Sequence, residues 1–226
     1  MNCFQKYLFY NTIIFKTSFF NLFMKRGKFI VFEGIDGCGK STQIWKLAKY
    51  LSELSKYNHV LVTRNPYKSR EIREILALKE PAETQAEKLA ELFIKDREEH
   101  IKELINPHLE KGHYVICDRY IFSTIAYQSA QGLPTNKLVE MQKNFPLPNI
   151  IFILDLSIET ASERMKKDGR DEHKFEASLD FQKKVRQNYL ELKNYFPKEN
   201  IIIIDGSKSI EEIEKQIIEN FHKLNI

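Results

Sequence analysis

Short apolar runs alternate with longer helical stretches along most of the chain. The centre of each run is rich in Ile and Val and lacks polar alternation, and the runs lie at residues 28–34, 59–64, 113–119, 149–156 and 200–206. Continuous apolar runs are typical of strands buried on both faces of a parallel sheet. Because helical sequence separates these runs, the pattern predicts an α/β fold, with a doubly wound, five-stranded parallel sheet flanked by helices. Ligands of such sheets bind outside the carboxyl ends of the strands.

Two helical stretches are well defined by their residue pattern. Residues 81–112 have a proline near the start and Gly112 just past the end, which are the usual places for these residues around a helix. The last helix, predicted over residues 207–225, carries apolar side chains on one stripe: Ile210, Ile213, Ile217, Ile218 and Phe221. That spacing is typical of an amphipathic helix whose apolar face packs on the core.

The first 23 residues do not fit this pattern. They contain no acidic residue and no arginine, and Lys16 and several asparagines interrupt their apolar residues. These interruptions argue against a membrane span, and the segment lacks the small-residue cleavage site of a signal peptide. We expect residues 1–23 to be a leader outside the core, with synthesis starting at Met24, and residues 24–226 to form one domain. Mass spectrometry of the native N-terminus distinguishes the two starts.

The composition of the 226-residue chain suits one globular domain, since 42% of the residues are hydrophobic and 29% are charged. The net charge of +4 is small and spread along the chain, so it gives no ground for a nucleic-acid or membrane partner. The three cysteines are widely spaced and form no C-x-x-C pair, which argues against a disulfide framework or a zinc site. We therefore expect a reducing, cytoplasmic location.

The stretch "FEGIDGCGKST" at residues 32–42 fits the phosphate-binding pattern G-x-x-x-x-G-K-[ST] between a predicted strand and a predicted helix. Its glycines allow backbone N–H groups to face a phosphate, and the helix N-terminus adds positive potential. Lys40 is expected to reach the β- and γ-phosphates, and the Ser41 hydroxyl to bind Mg²⁺. The residues expected to surround the phosphates are Gly34, Ile35, Asp36, Gly37, Cys38, Gly39, Lys40, Ser41 and Thr42.

The end of the third predicted strand favours a transferase over a hydrolase or a GTP switch. The chain lacks an N-K-x-D guanine motif, and the strand ends in "CDRY" with Arg119 directly after Asp118. A transferase must exclude water and hold a second anion, and a guanidinium can grip a phosphate with two hydrogen bonds. Asp118 is a candidate to hold Mg²⁺ through water. An ordinary ion pair at a strand end is the competing interpretation of the two residues.

The stretch "DRYIFSTIAYQ" (residues 118–128), after a loop of the form E-G-x-D-x-x-G-K-[ST], resembles the thymidylate kinases, a family of P-loop nucleoside monophosphate kinases. The resemblance covers residues 28–225. It implies a P-loop kinase fold with a short lid, phosphorylation of dTMP to dTDP by ATP with Mg²⁺, and a homodimer. It also implies that Lys40, Arg119 and basic lid residues are catalytic.

The same resemblance implies an acceptor site. Phe93 would stack on thymine and Arg97 would bond its O4, and their i, i+4 spacing places both on one helical face. Asp36 would bond the sugar 3′-hydroxyl. The positions that would line the base and sugar are Thr124, Tyr127 and Gln128, with Tyr127 against the 2′ position so that deoxyribose is favoured. Pro66 and Lys68 would lie near the acceptor phosphate, with Arg70 and Arg73 as alternatives to Lys68.

The charged stretch at residues 163–176 resembles the lid of this family. Some members carry a transition-state arginine in the P-loop, where this chain has Gly37, so the resemblance implies that the lid supplies the cation. The candidates are Arg164, Lys166, Lys167 and Arg170, of which we favour Arg164 and Arg170. Phe175 occupies a position where members often have a tyrosine near the deoxyribose.

Two other functions stay open at this point. The chain could phosphorylate another monophosphate, such as dUMP, UMP or dGMP. It could also be a non-catalytic regulator that binds ATP, although a complete acceptor half argues against this. An ADP-release assay over a panel of monophosphates separates the three hypotheses.

Overall fold

The computed structural model describes residues 26–77, 85–169 and 179–224. Its strands form one five-stranded sheet in the order β2-β3-β1-β4-β5. The strands are β1 (Phe29–Glu33), β2 (Val60–Arg64), β3 (Tyr114–Asp118), β4 (Ile150–Asp155) and β5 (Ile201–Asp205). Every neighbouring pair is parallel. The predicted five-stranded parallel sheet is thus confirmed, with each strand inside the apolar run that predicted it.

Helices flank the sheet, and each of the four connections between its strands contains at least one helix. They are α1 (Lys40–Glu53), α2 (Arg70–Ala77), α3 (Ala86–His100), α4 (Asn106–Glu110), α5 (Ile121–Ala130), α6 (Thr135–Gln142), α7 (Ile158–Lys167), α8 (Leu179–Tyr195) and α9 (Ile210–His222). Helix α8 packs on α5, α3 packs on α5, and α9 packs on α1. Within the described ranges, no helix is long and apolar enough to cross a membrane.

The long helix predicted over residues 81–112 is interrupted. Residues 81–84 lie outside the described ranges, and a π-helical turn, Ile101–Ile105, separates α3 from α4. Pro107 lies in the first turn of α4, where its missing N–H interrupts the regular ladder of helical hydrogen bonds. Gly112 ends the segment with φ of 78°, as its position in the sequence predicted.

The last helix starts three residues later than predicted, because a capping box fixes its start. The Ser209 hydroxyl accepts from the Glu212 N–H, and the Glu212 carboxylate accepts from the Ser209 N–H. Ile213, Ile217 and Phe221 are buried, as the apolar stripe predicted. Ile210 is 47% exposed, since it lies in the first turn.

The centre of the sheet is the most buried part of the core. All five residues of β1 are buried, and β1 lies between β3 and β4. Its register with β3 places Phe32 beside Asp118. Because both strands end at this level, the segments that follow them meet at one edge of the sheet. The predicted phosphate loop follows β1, and Arg119 follows β3.

Candidate active site

The loop between β1 and α1, residues 34–42, passes close to two neighbouring backbones. Gly34 has φ of 132° and Gly37 has φ of 80°, which L-residues with a side chain rarely adopt. A Cβ on Gly34 would lie 2.6 Å from the Leu154 carbonyl oxygen of β4, and a Cβ on Gly37 would lie 2.7 Å from the Ala161 carbonyl oxygen of α7. Glycine is therefore required at both positions for the loop to pack between β4 and α7.

Lys40 is the first residue of α1 and is only 6% exposed. Its Nζ donates to the Gly34 carbonyl oxygen at 3.0 Å and to the Ile35 carbonyl oxygen at 2.9 Å. The ammonium therefore lies inside the curve of the loop, at the N-terminus of α1. The positive end of a helix and a buried cation together form a binding site for anions such as phosphates.

A cavity of about 1290 Å³ opens beside this loop. Its walls come from residues 36–43 of the loop and α1, from the loop after β2, from α2, from the end of β3, from the last turn of α7, and from the start of α9. Ligand pockets for one small molecule occupy roughly 300–1,000 Å³. The volume and the several charged walls suit two phosphorylated ligands rather than one.

Asp118 and Ser41 both line this cavity. Asp118 Oδ1 is buried and has no hydrogen-bond donor within the described residues, so its lone pairs are available to a cation or to cation-bound water. The Ser41 side chain is exposed at the start of α1. A carboxylate and a hydroxyl are hard oxygen ligands of the kind that Mg²⁺ prefers. The two predicted metal residues therefore fit Mg²⁺ in chemistry and in their shared cavity.

Arg119 lies at the centre of the site and uses both of its terminal nitrogens. Nη2 donates to Asp36 Oδ1 at 2.8 Å and to the Tyr127 hydroxyl at 3.3 Å. Nη1 donates to the Ser123 hydroxyl at 3.1 Å and to the Tyr189 hydroxyl at 3.0 Å. Three residues predicted for the acceptor side, Arg119, Asp36 and Tyr127, are thus brought into direct contact.

Sequence reasoning missed Glu33 and Tyr189, which complete the surroundings of Arg119. Glu33 is fully buried at the end of β1, and burial raises the pKa of its carboxyl group. Tyr189 is buried on α8, and burial likewise raises the pKa of its phenol. Glu33 stands in the quoted loop motif and offered a signal. Tyr189 offered none, because only the packing of α8 on α5 brings it there.

The residues predicted to contact the base lie on facing sides of α3 and α5. Arg97 is 1% exposed, and it donates to Thr124 Oγ1 at 2.9 Å and to the Tyr120 carbonyl oxygen at 3.1 Å. It also donates to Gln142 Oε1 at 2.5 Å. Arg97 and Thr124 are therefore brought together, in a position set back from the cavity, whose walls include neither of them.

Phe93 and Gln128 flank the Arg97–Thr124 pair in sequence and lie on the same two helices. Phe93 is half-buried. Gln128 is buried, its Nε2 donates to Gln131 Oε1 at 3.0 Å, and its Oε1 has no donor within the described residues. A buried amide oxygen without a donor can accept a hydrogen bond from a ligand N–H.

The structure does not bring Lys68 to the cavity. Its Nζ lies 2.8 Å from Glu103 Oε1 and 3.2 Å from Glu99 Oε2, and its hydrogen bonds to these two carboxylates raise the pKa of the ammonium group. Pro66 and Arg73 do line the cavity. The prediction for Lys68 thus disagrees with its position, because two glutamates on the α3 side attract the side chain away, and Arg73, considered as an alternative, is better placed.

Two residues of α3 that sequence reasoning missed hold the loop after β2. The Asp96 carboxylate accepts from the backbone N–H groups of Tyr67, Lys68 and Ser69 at 2.5, 2.9 and 2.7 Å. His100 stacks on the Tyr67 ring with centroids 4.5 Å apart. Both side chains are buried. This wall of the cavity is therefore fixed by α3, the helix that also carries Arg97.

His100 gives a testable pH dependence of stability. Asn65 Nδ2 donates to its Nδ1, so the ring accepts there and is neutral, with Nε2 donating to Thr63 Oγ1. Burial lowers the pKa of His100 from 6.5 to about 4. The unfolded chain therefore binds a proton more readily, so the stability from neutral His100 is complete above pH 6.5 and is lost as the pH falls towards 4. We expect the loss to be about 3 kcal/mol.

The measurement is urea unfolding of the wild type and of His100→Gln between pH 7.5 and 4. Both proteins lose stability to carboxyl protonation, so the quantity of interest is the gap between their free energies of unfolding. We expect that gap to shrink as the pH falls from 6.5 to 4. Parallel curves would contradict the assignment of this titration to His100.

The predicted lid begins at the end of α7. Arg164 is half-buried and lines the cavity together with Lys167 and Asp168, whereas Lys166 is exposed and does not line it. Arg170 and Phe175, the other two lid predictions, lie outside the described residues. Within the described part of the lid, Arg164 is thus the arginine that lines the cavity beside the phosphate loop.

A phosphate loop after the central strand, with a buried lysine and an arginine converging on one cavity, defines a P-loop phosphotransferase. The family model described as thymidylate kinase matches residues 32–217. The chain belongs to the thymidylate kinase family, a family of nucleoside monophosphate kinases, as the resemblance in its motifs predicted.

Individual relatives agree with this assignment. A probable thymidylate kinase of Pyrococcus abyssi is 39% identical over 199 residues, covering 85% of this chain and 95% of the relative. A probable thymidylate kinase of Methanocaldococcus jannaschii is 43% identical over 191 residues, covering 84% and 93%. A crystal structure of thymidylate kinase from Ehrlichia chaffeensis superposes with a TM-score of 0.67 at 30% identity, covering 87% of this chain and 100% of that one.

Proposed function

We propose that this protein transfers the γ-phosphoryl group of ATP to dTMP, giving ADP and dTDP. An oxygen of the dTMP phosphate attacks the γ-phosphorus, the bond from that phosphorus to the β–γ bridging oxygen breaks, and ADP leaves. The acceptor is already an anion, so no strong base and no covalent intermediate are needed. Catalysis then consists of positioning and of neutralising negative charge.

The observation that carries this proposal is the convergence of two cations on one cavity from the ends of two neighbouring strands. Lys40 lies inside the phosphate loop, and Arg119 lies at the end of the neighbouring strand. Lys40 and the loop N–H groups bind the ATP phosphates, while Arg119 binds the acceptor phosphate. Mg²⁺ held by Ser41 and Asp118 would offset the charge of the transferred group.

The acceptor half is assembled from α2, α3 and α5. Arg73 takes the position beside the acceptor phosphate that sequence reasoning gave to Lys68, since it lines the cavity and Lys68 does not. Phe93 and Arg97 hold the thymine ring, with Thr124 and Gln128 beside it. Asp36 bonds the 3′-hydroxyl of the sugar. Tyr127, fixed by Arg119, crowds the 2′ position and favours deoxyribose.

A coupled ADP-release assay with ATP and Mg²⁺ tests this function. The acceptors are dTMP, its ribose counterpart, dUMP, UMP and dGMP, each supplied in turn. We expect dTMP to give the highest kcat/KM and its ribose counterpart to be poor. A different preferred monophosphate would overturn the acceptor assignment, and the absence of ADP release with every acceptor would support a non-catalytic ATP-binding protein.

The cytoplasm is the proposed location of this reaction. Cys38 and Cys117 are buried free thiols, which suits a reducing compartment. A homodimer is proposed from the family resemblance alone. Light scattering during size-exclusion chromatography tests it through the molar mass, which would be about twice the 26.8 kDa of the chain.

A further inference from the structure

Arg119 has a backbone conformation that needs support from its surroundings. Its φ is 67°, in the left-handed region, which costs a residue with a side chain about 1 kcal/mol or more. Its N–H donates to the Phe32 carbonyl oxygen at 2.9 Å, and its carbonyl oxygen accepts from the Cys117 thiol at 3.1 Å. This backbone turns the guanidinium towards the phosphate loop, where it meets Asp36.

A buried polar cluster, which we term the Glu33 network, lies behind the guanidinium and consists of Glu33, Ser123 and Tyr189. Glu33 Oε2 accepts from the Ser123 hydroxyl at 2.5 Å and lies 3.0 Å from the Tyr189 hydroxyl. Glu33 Oε1 accepts from the backbone N–H groups of Tyr120 at 2.7 Å and Ser123 at 3.2 Å. The carboxylate is thus surrounded by donors on both oxygens.

The Ser123 and Tyr189 hydroxyls link Arg119 to Glu33 through hydrogen bonds whose donors and acceptors can be assigned. A guanidinium has no acceptor and a carboxylate has no donor, so the Ser123 and Tyr189 oxygens must accept from Arg119 Nη1. Their hydrogens are then left for Glu33, or for each other across the 2.7 Å that separates the two oxygens. The network therefore holds Nη1 in place and leaves Nη2 on the side of the cavity.

We infer that Glu33, Ser123 and Tyr189 are positioning residues that orient Arg119 towards the acceptor phosphate, and so set the preference for the monophosphate over the uncharged nucleoside. The inference rests on the proposed function and extends it. Tyr189 comes from α8, the first described helix after the lid, and Asn188 beside it donates to the Ala126 carbonyl oxygen of α5 at 2.8 Å. The packing of α8 on α5 thereby fixes the orientation of the arginine.

Paired binding measurements test this inference on the full chain. Isothermal titration calorimetry gives the Kd of dTMP and of thymidine for the wild type, Tyr189→Phe and Ser123→Ala. Thymidine has the same base and sugar as dTMP and lacks the phosphate that Arg119 would hold. Hydrogen bonds that involve a charged group are among the stronger ones, so we expect each variant to bind dTMP about tenfold more weakly. We expect the Kd of thymidine to change less than about twofold, because no contact to the nucleoside is removed.

Tyr50→Phe is the matched control, since it also removes a tyrosine hydroxyl. Tyr50 is on α1, and its hydroxyl is hydrogen-bonded to His222 of α9. This variant should leave both Kd values unchanged. Equal weakening of dTMP and thymidine by Tyr189→Phe and Ser123→Ala would show a general structural role and overturn the inference, as would unchanged dTMP binding. A wild type that does not prefer dTMP to thymidine would overturn the proposed function as well, and the ADP-release assay would show that failure independently.

Discussion

Replacing Lys40 by methionine should lower kcat by about 10³-fold, because it removes the cation nearest to the phosphates that we place in the loop. The Lys40 ammonium is buried and held by two carbonyl oxygens of the loop, so it needs little reorganisation to meet charge that develops on the transferred group. Methionine matches the length of the side chain and tolerates burial. Single-turnover measurements with saturating ATP and dTMP report the chemical step directly.

Lys46→Met is the control for this prediction. Lys46 is on the same helix, but it pairs with Glu214 of α9 at 2.7 Å and does not line the cavity. The Lys46→Met variant should keep kcat within about twofold of the wild type, because a partly exposed ion pair contributes little to stability. If Lys40→Met retained more than about a tenth of wild-type turnover, the positive charge that stabilises the transferred phosphoryl group would have to come mainly from another residue.

The sheet could be predicted from sequence because each strand lies inside a continuous apolar run that is local in the chain, although only β1 is buried along its whole length. The phosphate loop was predictable for a related reason. Its glycines, its lysine and its hydroxyl residues are contiguous, and their geometry depends mainly on the strand before them and the helix after them. Such features need no knowledge of which distant segments pack together.

The parts of the site that sequence reasoning missed depend on packing between distant segments. Tyr189 reaches Arg119 across 70 residues of sequence, and Asp96 reaches the loop after β2 across 27 to 29. A tyrosine on a helix, or an aspartate beside an arginine, has many other roles in proteins. Their function here follows only from the approach of α8 to α5 and of α3 to that loop.

Lys68 shows a second limit of local patterns, because its side chain pairs with two glutamates and does not line the cavity that the prediction assigned to it. A cation in the loop after β2 is a reasonable partner for a phosphate. Glu99 and Glu103 pair with the Lys68 ammonium instead, because the last turn of α3 and the π-helical turn after it place both carboxylates within reach of Nζ. Their spacing of i, i+4 was visible in the sequence, but their approach to the loop was not.

Replacing Arg164 by alanine should also lower kcat steeply, by about 10³-fold, because we propose that Arg164 supplies a lid cation to the transition state. Arg164 lines the cavity, and no side-chain ion pair within the described residues commits its charge elsewhere. A cation that acts on the transition state contributes little to ground-state binding, so the KM values for ATP and dTMP should change less than threefold, roughly. Lys167→Ala, at the same wall, should cost less, because a lysine lacks the planar fork of an arginine. A small effect of Arg164→Ala would transfer the role to Arg170.

A second substitution distinguishes a lid cation from one supplied by the phosphate loop. Gly37→Arg would place an arginine where some family members carry it, yet we expect it not to restore activity to Arg164→Ala. Its Cβ would lie 2.7 Å from the Ala161 carbonyl oxygen and 3.1 Å from Met165 Cγ, at a backbone φ of 80°. Ala161 and Arg164 lie one turn apart on α7, so the helix that presents Arg164 to the cavity is the helix that excludes a side chain at residue 37. Recovery of turnover in the double variant would show that α7 can retreat from the loop and that the two sources of charge are interchangeable in this chain.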